Sequence, residues 1–258
     1  MTFDIISGFV RCDFRPEEKQ ISHNILSTAE VFFGHTRDFR SKSLLSLECL
    51  NKDDQLKANK VRDSEDKITL LTCYTMLRMI ISKRLKINPL DISFETGTNG
   101  KPRIKNDSLF FNISHTSNSY AFALSEYFSI GVDLEELNEH LNYEPIIKRF
   151  FSRKECEFIL ESKRNSRNRF FLLWTRKEAL LKAIGTGIVS HLSHIEVSDP
   201  INFINRNSIE DFVNVPVANQ YYIYSRKLHN NYLSVALPQK TKLILYHLDE
   251  NSINTHMQ

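Results

Sequence analysis

The sequence predicts an α+β protein of two similar halves in one chain, a pseudo-dimer with its active site at the interface. Three observations carry that expectation. Two long segments, about 68–85 and 169–184, have helical apolar periodicity, whereas short β-type runs fill much of the rest. The order also repeats: a helix beginning near Leu70 leads to a strand around Ile92, and one with Leu172 and Trp174 leads to a strand around Ile195 at nearly the same separation. Identity between these stretches is negligible, so the repeat is one of order alone. Finally, 258 residues suffice for two modest cores. The halves are drawn at 1–128 and 129–258, with a ligand site between them.

Taken in order, residues 1–14 alternate loosely as an opening strand that Pro16 closes. Residues 19–66 are charged and loosely patterned, fitting short helices and loops. In the segment 68–85, Leu70, Tyr74, Leu77 and Ile81 form one apolar stripe, widened by Cys73, Met76 and Ile80. Asn88-Pro89 ends the helix, a short strand follows over 91–95, and 96–103, with Gly97 and Gly100, is a turn. Strands are expected over 109–113 and 120–125, joined by the polar 114–119, and over 129–134. Residues 145–163 read as a helix interrupted near Phe151-Ser152, where Ser152 and Glu155 have capping-box spacing. The helix over 169–184 stops at Gly185-Thr186-Gly187. Strands over 194–197, 221–225, 232–237 and 242–248 complete the chain.

Composition narrows the function. A formal charge of +3 is too small to argue for nucleic acid, yet suits an anionic ligand or an acidic protein partner. The cysteines, Cys12, Cys49, Cys73 and Cys156, are scattered, which argues against a zinc site or disulfide framework and for reduced thiols. The start of the chain lacks the basic residues and long apolar run of a secretory signal, and no stretch reaches the ~20 apolar residues of a membrane span. The expectation is a cytoplasmic protein with neither nucleic acid nor membrane as partner.

Four segments could carry chemistry. Asp133 and Glu135 are two apart on a strand, so both carboxylates face one side and suit a hard cation; otherwise they begin a solvated acidic run with Glu136 and Glu139. Trp174, Glu178 and Lys182 share a helical stripe, although Glu178 and Lys182 also fit an ordinary ion pair worth about 0.2–0.5 kcal/mol. Ser114 and His115 end a strand and could bond phosphate oxygens; because neighbouring strand residues point apart, a direct Ser–His nucleophilic pair is disfavoured. Gly100-Lys101-Pro102 allows close backbone approach beside a lysine, or is a turn with a surface lysine. Lys57, Lys60 and Arg62 form a basic cluster or a solvated helix face.

Together and in this order, residues 100–102, 111–116, 131–135, 150–155 and 174–188 resemble the 4′-phosphopantetheinyl transferase family, in its long, surfactin-synthetase-activating type. The last segment, WTRKEALLKAIGTGI, is the most specific, and the likeness spans roughly 45–200. The resemblance implies coenzyme A as substrate, Mg²⁺ or Mn²⁺ as cofactor, and an acyl or peptidyl carrier protein as acceptor. It implies that Asp133, Glu135 and Glu178 hold the cation, and that Glu178 or a water it orients accepts the carrier serine proton. Lys182 would balance charge on the 3′,5′-ADP leaving group. Ser114 and His115 would contact the nucleotide phosphates, Lys101 and Pro102 would lie beside the adenine, and Lys57 and Lys60 would approach the 3′-phosphate. Asp53-Asp54 stands where related enzymes often have another base, and Ile188 where leucine is usual. The carrier would dock near 185–194 on a monomer, since fused halves already supply the interface that shorter relatives build between subunits. Two other readings use the same residues: a metal-dependent nucleotide phosphohydrolase, and a non-catalytic coenzyme A-binding protein. The full set of acids with Lys182 argues against the last.

Overall fold

A computed structural model describes residues 3–4, 12–14, 27–38, 49–97, 100–105, 109–187, 191–198, 203–213, 216–249 and 254–255. The chain opens with β1 (Phe3–Asp4) and β2 (Cys12–Phe14), and then a long strand, β3 (Ser27–His35). The turn-to-helix transitions are written locally. Asn51 Oδ1 accepts the Asp54 N–H to start α1 (Lys52–Asn59), and the Asp63 carboxylate accepts two N–H groups to start α2 (Ser64–Leu85). The expected stripe of α2, including Leu70, Tyr74, Leu77 and Ile81, is buried. Pro89–Asp91 forms a 3-10 turn, so the expected strand over 91–95 begins later, as β4 (Phe94–Thr96) paired with β5 (Pro102–Ile104). A hairpin of β6 (Phe110–His115) and β7 (Ser119–Ser125) closes the first half.

The second half begins with β8 (Gly131–Glu136). Next come α3 (Glu144–Phe150) and α4 (Arg153–Leu160), interrupted as expected, with Ser152 and Glu155 forming the capping box. Then follow α5 (Ser166–Ile184), β9 (Phe203–Asn205) and the hairpin of β10 (Gln220–Leu228) and β11 (Asn231–Leu237). The chain ends with β12 (Thr241–Leu248) and β13 (Asn254–Thr255), which pairs with β1. Residues 194–197 are not a strand; Leu192–His194 is a 3-10 turn. The backbone there is committed to buried side chains instead of a ladder. Lys177 takes the Leu192 and Ile195 carbonyls, Arg176 takes the Val197 carbonyl, and Glu155 takes the Val197 N–H.

The helix-to-strand repeat expected at Ile92 and Ile195 is not found, since both follow 3-10 turns; what repeats is the strand pairing. β7 pairs antiparallel with β3 and β6, just as β11 pairs antiparallel with β8 and β10. The long helix of each half packs on its hairpin, α2 on β6 and β7, α5 on β10 and β11. One strand departs from the division drawn at 128 and 129. β12 runs parallel to β3 and, with β2 beyond it, covers that strand's other edge, so residues 241–248 belong by pairing to the first half's sheet. An apolar layer joins the halves, with Val31, Phe33 and Ala123 facing Val132, Leu134 and Val235. No helix among the described residues is long and apolar enough to cross a membrane.

Candidate active site

The site grows from the seam between β6 and β8. One edge of β8 pairs with β11, and its other edge is satisfied by side chains of β6. The Val132 N–H donates to Asn112 Oδ1 at 2.9 Å and the Leu134 N–H donates to Ser114 Oγ at 3.2 Å. α5 then lies directly against this strand, and Gly131 is what lets it. A Cβ there would fall 2.1 Å from the Ala179 carbonyl oxygen and 2.3 Å from the Ala183 nitrogen. That close approach brings Glu178 and Lys182, one turn apart on α5, over Asp133 and Glu135. α5 ends where Gly185 adopts φ 87° and its N–H reaches back to the Leu181 carbonyl.

Asp133 and Glu135 are each held through one oxygen. Lys182 Nζ donates to Asp133 Oδ1 at 2.7 Å and to Ser114 Oγ at 3.0 Å, while Ser114 Oγ donates to Asp133 Oδ1 at 3.2 Å. Trp174 Nε1 donates to Glu135 Oε1 at 3.3 Å. Two oxygens are bare: Asp133 Oδ2 and Glu178 Oε1 are buried and have no hydrogen-bond partner. Desolvation and the neighbouring Asp133 push Glu135 and Glu178 each to about 7, with Lys182 pulling back. Among the described residues no three such groups are already gathered into a metal cage. The donor set still fits a divalent hard cation, because Mg²⁺ takes few carboxylates and draws its remaining ligands from water and phosphate. Two orphaned carboxylate oxygens, which cost stability when left bare, are what such an ion would satisfy.

Two cavities flank these acids. One of about 490 Å³ is lined by Lys57 and Tyr74 from the first half, Lys101 and Pro102 at the start of β5, and Lys182 and Gly187 from the second half. A wider cleft of about 610 Å³ starts at His115 and Glu135 and reaches Phe171. The sequence-derived residues therefore divide. Asp133, Glu135, Glu178, Lys182 and Ser114 converge on the seam; Lys57, Lys101 and Pro102 line the first cavity; exposed His115 borders the second. Lys60 is exposed at the end of α1 and does not line the first cavity. The Ser114 hydroxyl has its donor and both acceptor sites engaged within the protein, so it fixes Asp133 and Lys182 as it stands. Ile188 lies outside the described residues.

Sequence reasoning missed Asn112, Tyr74 and the role of Asp54. Asn112, a polar residue inside a strand of apolar neighbours, was the available signal for the seam. Tyr74 belongs to the apolar stripe of α2 and also lines the cavity, with Lys57 Nζ 5.8 Å from its ring centre. Asp54 does not face the cavity: it is 1% exposed and paired with Arg78. The Asp54 charge is thus paired, and Asp53, the other acid ahead of Lys57, is exposed and does not line the cavity.

Two family models match the chain, one in each half. A family model described as 4′-phosphopantetheinyl transferase, N-terminal, matches residues 37–127, and one described as the 4′-phosphopantetheinyl transferase superfamily matches 129–229. The chain belongs to the 4′-phosphopantetheinyl transferase superfamily. It is similar to the 4′-phosphopantetheinyl transferase HetI of a Nostoc species, 33% identical over 154 residues that cover 58% of this chain and 65% of the relative. It is also similar to the 4′-phosphopantetheinyl transferase Sfp of Bacillus subtilis, 29% identical over 150 residues, 57% of this chain and 66% of the relative. A mouse L-aminoadipate-semialdehyde dehydrogenase-phosphopantetheinyl transferase is 25% identical over 177 residues, 63% of this chain and 57% of the relative. The chain thus spans less than two thirds of the length of these relatives.

Proposed function

We propose that this chain transfers the 4′-phosphopantetheine arm of coenzyme A to a serine of an acyl or peptidyl carrier protein and releases 3′,5′-ADP. The observation that supports it most is the pair of bare carboxylate oxygens on Asp133 and Glu178 set against the Lys182 ammonium. In this reading the serine Oγ attacks the phosphorus that bears pantetheine. A new P–O bond forms, the bond to 3′,5′-ADP breaks, and the electron pair leaves with that group. Asp133, Glu135 and Glu178 are the residues that would hold Mg²⁺, or Mn²⁺, which when bound neutralises pyrophosphate charge. Glu178 accepts the serine proton, directly or through a water it orients. Lys182 balances the charge gathering on 3′,5′-ADP, and Ser114 with Trp174 keeps the acids in place. The nucleotide is seated by Lys57, Tyr74, Lys101 and Pro102, with Lys60 and His115 at the margins. The carrier docks beside 185–194, and the working unit is a monomer.

Intact-mass spectrometry of apo carrier proteins incubated with the chain, coenzyme A and Mg²⁺ tests this directly. The expected result is the gain of one phosphopantetheine on the carrier, lost with EDTA or with the carrier serine changed to alanine. Cleavage of coenzyme A with every carrier left unmodified would instead mark a phosphohydrolase. Light scattering of the active protein checks the monomer.

A further inference from the structure

Outside the reacting groups, one half-buried lysine has no acid beside it. Lys101 leaves the turn between β4 and β5 and passes Gly185, whose added Cβ would sit 3.8 Å from the Lys101 Cδ. Its ammonium ends between the halves. It donates to Ser129 Oγ at 2.7 Å, to the Ile130 carbonyl at 2.8 Å and to the Ala183 carbonyl at 3.4 Å. Ser129 Oγ donates in turn to the Ala183 carbonyl at 2.8 Å. Three donors thus meet three acceptors, one of them at the carboxyl end of α5, where a cation is favoured.

These contacts join three separate pieces of the molecule: the turn that lines the first cavity, the linker between β7 and β8, and the last turn of α5. Each piece lies a few residues from a working group. Pro102 follows Lys101 itself, Ile130 leads through Gly131 to Asp133, and Ala183 follows Lys182. Because the nitrogen is spent on protein acceptors, the lysine expected beside the adenine lends its stem to the cavity while its charge serves elsewhere.

We propose that Lys101 is a positioning residue, a bolt through which the nucleotide-side turn sets the spacing of Asp133 and Lys182 from the pyrophosphate. The inference rests on the coenzyme A reading. Burial pushes the Lys101 ammonium down to about 8, so its charge is lost within the mildly alkaline range. The groups facing it do not replace that charge. Ser129 and the two carbonyls are neutral, Arg103 and Glu95 on the hairpin pair with each other, and Lys182 on α5 pairs with Asp133.

The test compares the full chain with its Lys101→Met and Ser129→Ala variants, measuring coenzyme A affinity by calorimetry and KM for coenzyme A and carrier separately, across neutral and alkaline pH. Lys101→Met is expected to weaken coenzyme A binding about tenfold with carrier KM unchanged, as the loss of charge-assisted bonds implies. Wild-type affinity should fall above about pH 8, and that fall should be missing in Lys101→Met but kept in Ser129→Ala, which shifts affinity about threefold. Wild-type affinity in Lys101→Met, or an alkaline fall that survives the substitution, would overturn the bolt while leaving transfer by the wild type intact. So would a variant that melts early and loses coenzyme A and carrier alike, since that is bulk destabilisation. A wild-type chain that binds no coenzyme A would remove the reading and the bolt together.

Discussion

The two halves hold their long helices in place with the same device built from different chemistry. In the first half Arg78 on α2 pairs with Asp54 on α1 and donates to the Pro89 and Ile92 carbonyls. In the second, Lys177 on α5 pairs with Glu155 on α4 and donates to the Leu192 and Ile195 carbonyls. Each cation is fully buried and each carbonyl pair spans a 3-10 turn. The difference lies in satisfaction. Three ammonium protons meet three acceptors on Lys177, whereas Arg78 keeps a buried Nη2 without a partner, with Phe94 4.7 Å from its guanidinium carbon. Glu155 is also tied more widely than Asp54, through the backbone N–H groups of Ser152 and Val197. The clamp beside the chemistry, one residue from Glu178, is the complete one; the clamp under α1, which carries Lys57, leaves a donor over.

The largest effect should therefore come from the second clamp. Lys177→Met strands the Glu155 charge and two carbonyls in a dry interior, and urea denaturation should show a loss of about 3–5 kcal/mol. A loss under about 1 kcal/mol would mean that water reaches the pair and that the clamps are not alike. Lys182→Met asks the opposite question on the same helix. It should lower kcat by about 10²–10³-fold while lowering stability less than Lys177→Met does, because Lys182 is partly exposed although it pairs with the buried Asp133. A raised KM for coenzyme A with kcat intact would break the division between a seating half and a reacting half.

That division was only partly legible in the sequence. The apolar stripes of α2 and α5 announce themselves because helical periodicity is local, and so does the capping box of Ser152 and Glu155. β3 was hidden within a charged stretch, and its place is set by partners far along the chain, β7 and β12. The seam acids and Lys182 could be read from spacing and resemblance together. The clamps could not, since nothing local in the sequence shows that Lys177 and the capping-box Glu155 are buried together. The absence of the strand expected at 194–197 follows from this too, because Lys177, Arg176 and Glu155 claim the backbone groups that a ladder would have used.

A smaller effect separates two lysines that looked equivalent. Lys57→Ala should raise the KM for coenzyme A about tenfold, the scale of one lost charge-assisted contact, while Lys60→Ala should stay within about twofold. Dephospho-coenzyme A, which lacks the 3′-phosphate, gives the control: on it, Lys57→Ala should match wild type. An equal effect of both lysines on coenzyme A would mean that α1 presents a general basic face and that Asp54 fixes nothing in particular.

The smallest effect is also the sharpest comparison of the clamps. Arg78→Lys converts the first clamp into the chemistry of the second: three donors for Asp54, Pro89 and Ile92, with the unpartnered Nη2 removed. The substitution gives up guanidinium contact with Phe94 but ends the cost of a buried bare donor, so the two changes nearly offset, and denaturation should show a loss of about 1 kcal/mol or less. The reverse change, Lys177→Arg, puts extra donors and volume into a site already complete and should cost more, about 2–3 kcal/mol. If both exchanges cost the same, donor counting is the wrong account, and the clamps differ by packing around the cation rather than by its hydrogen bonds.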